Sequence, residues 1–335
     1  MEKIRDKDYL ETVDNWMFCV VGEVHPPDGF FAYPKYVPGE GPWKRGNQSF
    51  KRIFKEYSIV EFKRILEELK KSRSEYVIYD HMINAEMFFT PRSKILRYYN
   101  CREGLRKLLE KDKKDRLEEV AVELVHILSQ HSDTSLEDFG ITGSILLGIH
   151  YEKSDIDIVV YGGENFWKIS SLIEELGYID LESISKKLHR YPHLMCGDPS
   201  KIINRIKYRG VYRGVRFSVN AIRSEEELHE EYGEYCYNRV GIAKAILEIV
   251  DSRESIFTPS IYTVRGSVEM GSEKLFVQKL ICYDGMYTAL FRPGEYVEVY
   301  GKLEEVREIK SGRKFYSFLI GSFDATGIEY IKLLK

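Results

Sequence analysis

Asp155 and Asp157 stand two apart in the run Ser154-Asp-Ile-Asp-Ile-Val-Val160. Ile156, Ile158 and Val160 alternate with the two aspartates and Val159, so the run reads as a strand with both carboxylates on one face. Neighbouring carboxylates repel and lose hydration unless a cation joins them. Oxygen ligands of this kind suit Mg²⁺ or Mn²⁺. Upstream, Phe139-Gly-Ile-Thr142 reads as a short strand, and Gly143-Ser144 turns it into a short helix from Ile145 to Ile149. Free N–H groups at a helix start favour a phosphate. A phosphate cradle beside a divalent-metal site is equipment for a nucleoside triphosphate, with Gly143, Ser144 and Ser154 as the nucleotide-binding candidates.

A Gly-Ser at a helix start followed by Asp-x-Asp on the next strand resembles the DNA polymerase β-type nucleotidyltransferase superfamily. The matching stretch is roughly residues 139–161, with weaker support to about 250. The resemblance implies that Asp155 and Asp157 are catalytic metal ligands. The metal ions would bind the triphosphate, activate an attacking hydroxyl and stabilise departing pyrophosphate. The expected activity is transfer of a nucleoside monophosphate from an NTP to an acceptor hydroxyl, one candidate acceptor being RNA or DNA. The family usually has a third carboxylate on a later strand. Here that strand, Val215 to Ile222, offers Ser218 and Asn220 instead. Glu182 and Asp198 are the other acids considered for the role. The alternative is a catalytically inactive protein that keeps the fold and binds a nucleotide or nucleic acid.

Residues 201–223 hold seven basic residues and no acid. Lys201, Arg205, Lys207, Arg209, Arg213 and Arg216 are candidates for phosphate or nucleic-acid contact, with Tyr208 and Tyr212 placed to stack on bases. The competing reading is internal ion pairing with the surrounding acidic helices, Glu174 and Glu175 among them. His25-Pro-Pro-Asp28 is read as a turn. Together with Glu254-Ser-Ile-Phe-Thr-Pro259, it resembles uncharacterised archaeal proteins with a polymerase β-type domain behind a front domain.

The elements that must position these residues divide into three parts. Residues 1–110 form an α+β domain of unknown role. Its strand Trp16 to Gly22 is followed by a returning strand Phe30 to Val37, a Gly/Pro loop Pro38 to Gly46, and a helix opened by the capping box Ser58-Ile-Val-Glu61. Residues 111–255 form the α/β nucleotidyltransferase-like domain, ending in a helix from Val240 to Val250. Residues 256–335 form a small β domain of about five strands, OB-like if those strands close.

Across 335 residues, 43% hydrophobic and 31% charged content supports real cores and excludes a disordered chain. No apolar run reaches the roughly 18 residues of a membrane span, and the charged start MEKIRDKDYL is no signal peptide. A cytoplasmic protein is expected. Five scattered cysteines without a CxxC pair argue against disulfides and structural zinc. Only three glutamines among many Glu and Lys suggest a thermophile. The residues leave the oligomeric state open.

Overall fold

The computed structural model describes residues 4–194 and 199–334. It is a mixed α/β multidomain chain built on three sheets. The first contains β1 (Tyr9–Thr12), β2 (Met17–Val20), β3 (Gly29–Arg45), β4 (Gln48–Arg52), β5 (Val77–Asp80), β6 (Ala85–Pro91) and β7 (Ile95–Tyr99), in the order β5-β6-β3-β2-β1-β7 with β4 on β3. One face packs Leu10, Phe18, Val20 and Phe30 against Ile65, Leu66 and Leu69 of helix α1 (Ile59–Ser72). The other face packs Tyr9, Met17, Cys19, Tyr36 and Phe50 against Leu147 and Ile149 of the middle part.

The middle sheet runs β10-β11-β9-β8, from β8 (Phe139–Thr142), β9 (Ile156–Tyr161), β10 (Arg209–Tyr212) and β11 (Val215–Ile222). β9 is antiparallel to β8 and parallel to β11. The helices around it are α2 (Cys101–Glu110), α3 (Arg116–Ser132), the single turn α4 (Gly143–Leu146), α5 (Gly163–Glu175), α6 (Leu181–Leu188) and α7 (Pro199–Ile203). Ile156, Ile158 and Val160 point from β9 into a core shared with α3 and α5. The aspartate-bearing face is thereby turned the other way.

The third sheet holds β12 (Tyr235–Asp251), β13 (Ser260–Met270), β14 (Glu273–Cys282), β15 (Tyr296–Glu308), β16 (Lys314–Ile320) and β17 (Tyr330–Leu333). Its path β12-β13-β14-β16-β15 returns to β12 through the β12–β15 pairing, so five strands close into a barrel and β17 adds to β15. The one parallel pairing in that ring is β14 with β16.

Three sequence expectations are corrected. The helix expected over Val240 to Val250 is strand, inside β12. Ala243, Ala245, Leu247 and Ile249 point inward with period two, and pairing to both β13 and β15 overrides the helix-forming Ala, Leu, Lys and Glu content. The third sheet accordingly begins at Tyr235, ahead of residue 256. The expected loop Pro38 to Gly46 is the outer half of the 17-residue β3, paired with β4 across a register shift between Pro38 and Trp43. The capping box at Ser58 is half formed. The Ser58 hydroxyl accepts from the Glu61 N–H, but the Glu61 carboxylate turns to Lys55 N–H and Arg64.

Candidate functional site

The register of the middle sheet brings the sequence candidates together. Thr142, the last residue of β8, sits opposite Asp157 on β9. Gly143 follows at φ +69°, and a Cβ there would lie 2.6 Å from Asp157 Oδ2. Only glycine lets the chain turn this tightly against the carboxylate. Ser144 is buried at the start of α4. With four residues α4 has no appreciable macrodipole; what it offers is the free N–H groups of a first turn. The Ser154 hydroxyl accepts from the Tyr151 N–H at 3.1 Å and so closes the turn that delivers Asp155.

Asp155 precedes β9 and opens to solvent, whereas Asp157 is half-buried. The Asp155 carboxyl is held above its ordinary range, first by the like charge of Asp157 and then by desolvation. Lys35 and Arg52 pull it partly back. An acid pair under mutual repulsion, next to a turn shaped around one of its oxygens, fits a divalent cation.

On the adjacent parallel strand, Ser218 is the register partner of Asp157 and donates its hydroxyl to Asp157 Oδ1 at 2.7 Å. Asn220 bonds the Ile158 carbonyl and Ser218 Oγ. β11 thus presents a hydroxyl where a third carboxylate was sought. Glu182 is exposed and paired with Lys186 on α6, and Asp198 lies outside the described residues.

Three cations act electrostatically on the pair. Lys35 comes from β3, Arg52 from β4 and Lys187 from α6. Burial opposes the Lys35 charge, but Tyr57, Tyr36 and Asp157 more than offset it, and its net shift is upward. Arg52 behaves alike, with Asp155 among the groups that raise it. Lys187 is pushed down to about 8, first by desolvation and then by Arg209 and Arg190, while both aspartates pull it up. Lys187 belongs to a positive stretch that extends the basic island upstream in the sequence, whereas the sequence reading missed Lys35 and Arg52. No local pattern marks them, because Lys35 and Arg52 belong to a different sheet more than a hundred residues upstream. That sheet is docked by Lys44 N–H on the Ile149 carbonyl (3.2 Å) and by Trp43 against Tyr151 (5.8 Å).

The basic island is placed differently. Arg205 pairs with Glu295, Lys207 with Glu174, Arg213 with Glu123 and Arg216 with Asp180. Arg223 bridges Glu23 and Glu254. Tyr208 is buried in the core, and Tyr212 packs on Tyr178. Arg209 faces Lys187 electrostatically, and Lys201 is exposed on α7. The two N- and C-terminal motifs meet at the Arg223 bridge. The Thr258 carbonyl lies 3.4 Å from where a Cβ of Gly22 would be, and Lys7 Nζ donates to Thr258 Oγ1. His25 accepts from the Phe31 N–H, and burial pushes its pKa down to about 4, so it serves the turn as a neutral ring.

A second acid–imidazole group, Asp115, Glu118 and His150, lies at the start of α3. Asp115 and Glu118 form the capping box of that helix, and Lys111 pairs with Glu118. Helix capping explains this group without a metal.

The chain is 26% identical to an uncharacterised protein of the archaeon Methanocaldococcus jannaschii, over 99% of this chain and 100% of that one. No protein-family model and no solved structure matches it. No helix among the described residues is long and apolar enough to cross a membrane.

Proposed function

We propose that the protein is a metal-dependent nucleotidyltransferase of the polymerase β type. The observation that carries this reading is the approach of Gly143 to Asp157, with Asp155 beside it and Lys35, Arg52 and Lys187 facing the pair. Asp155 and Asp157 would hold Mg²⁺ or Mn²⁺. When bound, the cation supplies charge neutralisation for the triphosphate and the leaving pyrophosphate. The N–H groups of Gly143 and Ser144 and the Lys187 ammonium orient the phosphates. An acceptor hydroxyl oxygen bonds the α-phosphorus as the bond to the bridging oxygen of the β-phosphate breaks. Pyrophosphate departs, and the hydroxyl proton passes to water. We read the closed ring of β12 to β16, with its parallel β14–β16 closure, as an OB-like barrel. We read the protein as cytoplasmic, where an NTP substrate is supplied.

Ser218 favours a second reading. With a hydroxyl at the register of Asp157 in place of a third carboxylate, the site can bind a nucleotide with one cation and not turn it over. Calorimetric titration of the four nucleoside triphosphates with and without Mg²⁺, on wild type and Asp155→Asn, tests nucleotide binding. Cation-dependent affinity that the variant loses is expected, and no binding to wild type would overturn both readings. Pyrophosphate release separates transferase from binder.

A further inference from the structure

The face of the first sheet that packs on Leu147 and Ile149 also carries polar groups. Tyr9 pairs with Cys19 and Cys19 with Tyr33 across β1, β2 and β3, so the three share that face. A bulge follows. Phe18 pairs with Pro34 but Met17 pairs with Tyr36, leaving Lys35 as the extra residue. Bulges re-aim side chains, and this one places Lys35 Nζ 5.6 Å from the Tyr9 ring centre and 5.8 Å from that of Tyr36. Arg52, the β4 partner of Tyr36, stacks its guanidinium 4.9 Å from the Trp43 ring. The same face packs on Leu147 and Ile149, the residues that leave α4.

Two buried donors on this face lack acceptors. Tyr9 is 0% exposed and its hydroxyl has no partner, and neither has the buried Nε of Arg52. Lys35 and Arg52 meet rings and hydroxyls, and neither has a carboxylate at ion-pairing distance among the described residues. Leaving a buried donor unsatisfied is costly. These two donors, with the Lys35 ammonium close to the same tyrosines, complement an oxyanion. By contrast, at least four of the six candidate contacts in residues 201–223 already have carboxylate partners.

We propose that this face is the acceptor site, and that the acceptor is a small hydroxyl compound carrying a phosphate or carboxylate group rather than a nucleic-acid strand. The oxyanion lies on Lys35, Arg52 and the Tyr9 hydroxyl, which directs the acceptor hydroxyl toward the nucleotide held by Asp155 and Asp157. The proposal rests on the nucleotidyl-transfer reading.

The test is calorimetry with two kinds of probe: a non-hydrolysable NTP analogue with Mg²⁺, and inorganic phosphate or acetate added to protein saturated with that analogue. Wild type is expected to bind the analogue and then one oxyanion, phosphate or acetate according to which group the site takes. Lys35→Ala and the milder Tyr9→Phe should weaken the oxyanion by tenfold or more and the analogue by less than threefold. Asp155→Asn should do the reverse. The analogue binding without either oxyanion would overturn this inference and leave the nucleotide reading standing. Oxyanion competing with the analogue would assign Lys35 to the triphosphate and also overturn it. No analogue binding at all would overturn both.

Discussion

Two positively charged regions of this chain invite opposite conclusions from sequence and from structure. Residues 201–223 form the longest basic stretch without an acid, yet Arg205, Lys207, Arg213, Arg216 and Arg223 each meet a carboxylate. Lys35 stands alone in the sequence and Arg52 sits in the short basic stretch 44–55, yet both lie against Tyr36 and feel the charge of the aspartate pair. A charge that has found its counter-charge is part of the scaffold. A buried charge that has not is kept for something else, since leaving it so is costly. Charge density along a chain does not separate the two cases; the distance to the nearest opposite charge does.

The largest expected effect is at the aspartates. Asp157→Asn keeps the size of the side chain but removes the charge beside Gly143 and Asp155. Mg²⁺-dependent nucleotide affinity should fall by about 100-fold or more, read by calorimetry, with the melting temperature held or raised because repulsion with Asp155 is relieved. An unchanged affinity would break the comparison at its acidic end. Gly143→Ala comes next. The left-handed conformation costs a non-glycine residue about 1–2 kcal/mol, and the added Cβ, 2.6 Å from Asp157 Oδ2, forces the turn or the carboxylate to move. Both a lower unfolding midpoint in denaturant and weaker nucleotide binding are expected.

Within the island the pairs themselves should be unequal. Arg205 is mostly buried, and its guanidinium also donates to the Leu290 carbonyl. Arg205→Ala strands Glu295 and should cost about 3 kcal/mol in a denaturation series. Arg213 pairs with Glu123 in the open, and Arg213→Ala should cost under about 0.5 kcal/mol. If Arg213 instead met a nucleic-acid backbone, the variant would lower the salt dependence of RNA or DNA binding by about one counter-ion. A measured change of slope would return the island to the functional side.

The acidic half of the site was legible because its logic is local. Gly143-Ser144 and Asp155-x-Asp157 fall on one turn and one strand, and alternation alone assigns the face. The cationic half was not. Lys35 reaches the site through a bulge, a sheet-to-sheet docking and a β3 strand that runs through Pro38, Gly39 and Gly41, where composition reads as loop. β12 was misread for a related reason. Its outward positions include exposed Ile246 and Val250, so both faces are apolar and the period of two is hidden. Its length and helix-forming residues then favoured the wrong element, and only pairing with β13 and β15 decides it.

The smallest effect tests the rule on an acid. Asp180 is buried with Arg216 on its Oδ2, whereas Glu329 is half-buried in the loop between β16 and β17 and accepts only N–H and hydroxyl donors, from Gly321 and Ser322. Burial is the first cause pushing Glu329 up to about 7, opposed by those bonds. The folded state therefore binds a proton that the unfolded chain releases near 4.5. By linkage, stability should decline as pH rises from about 4.5 to about 7 and level off above. Glu329→Gln keeps an oxygen for the Gly321 N–H and cannot ionise. Its unfolding midpoint should vary less across that window than wild type, with the two curves closest at low pH and the variant ahead at pH 8. Parallel curves would mean that Glu329 carries no stored cost, and the distinction between paired and unpaired buried charge would then have to rest on Lys35 and Arg52 alone.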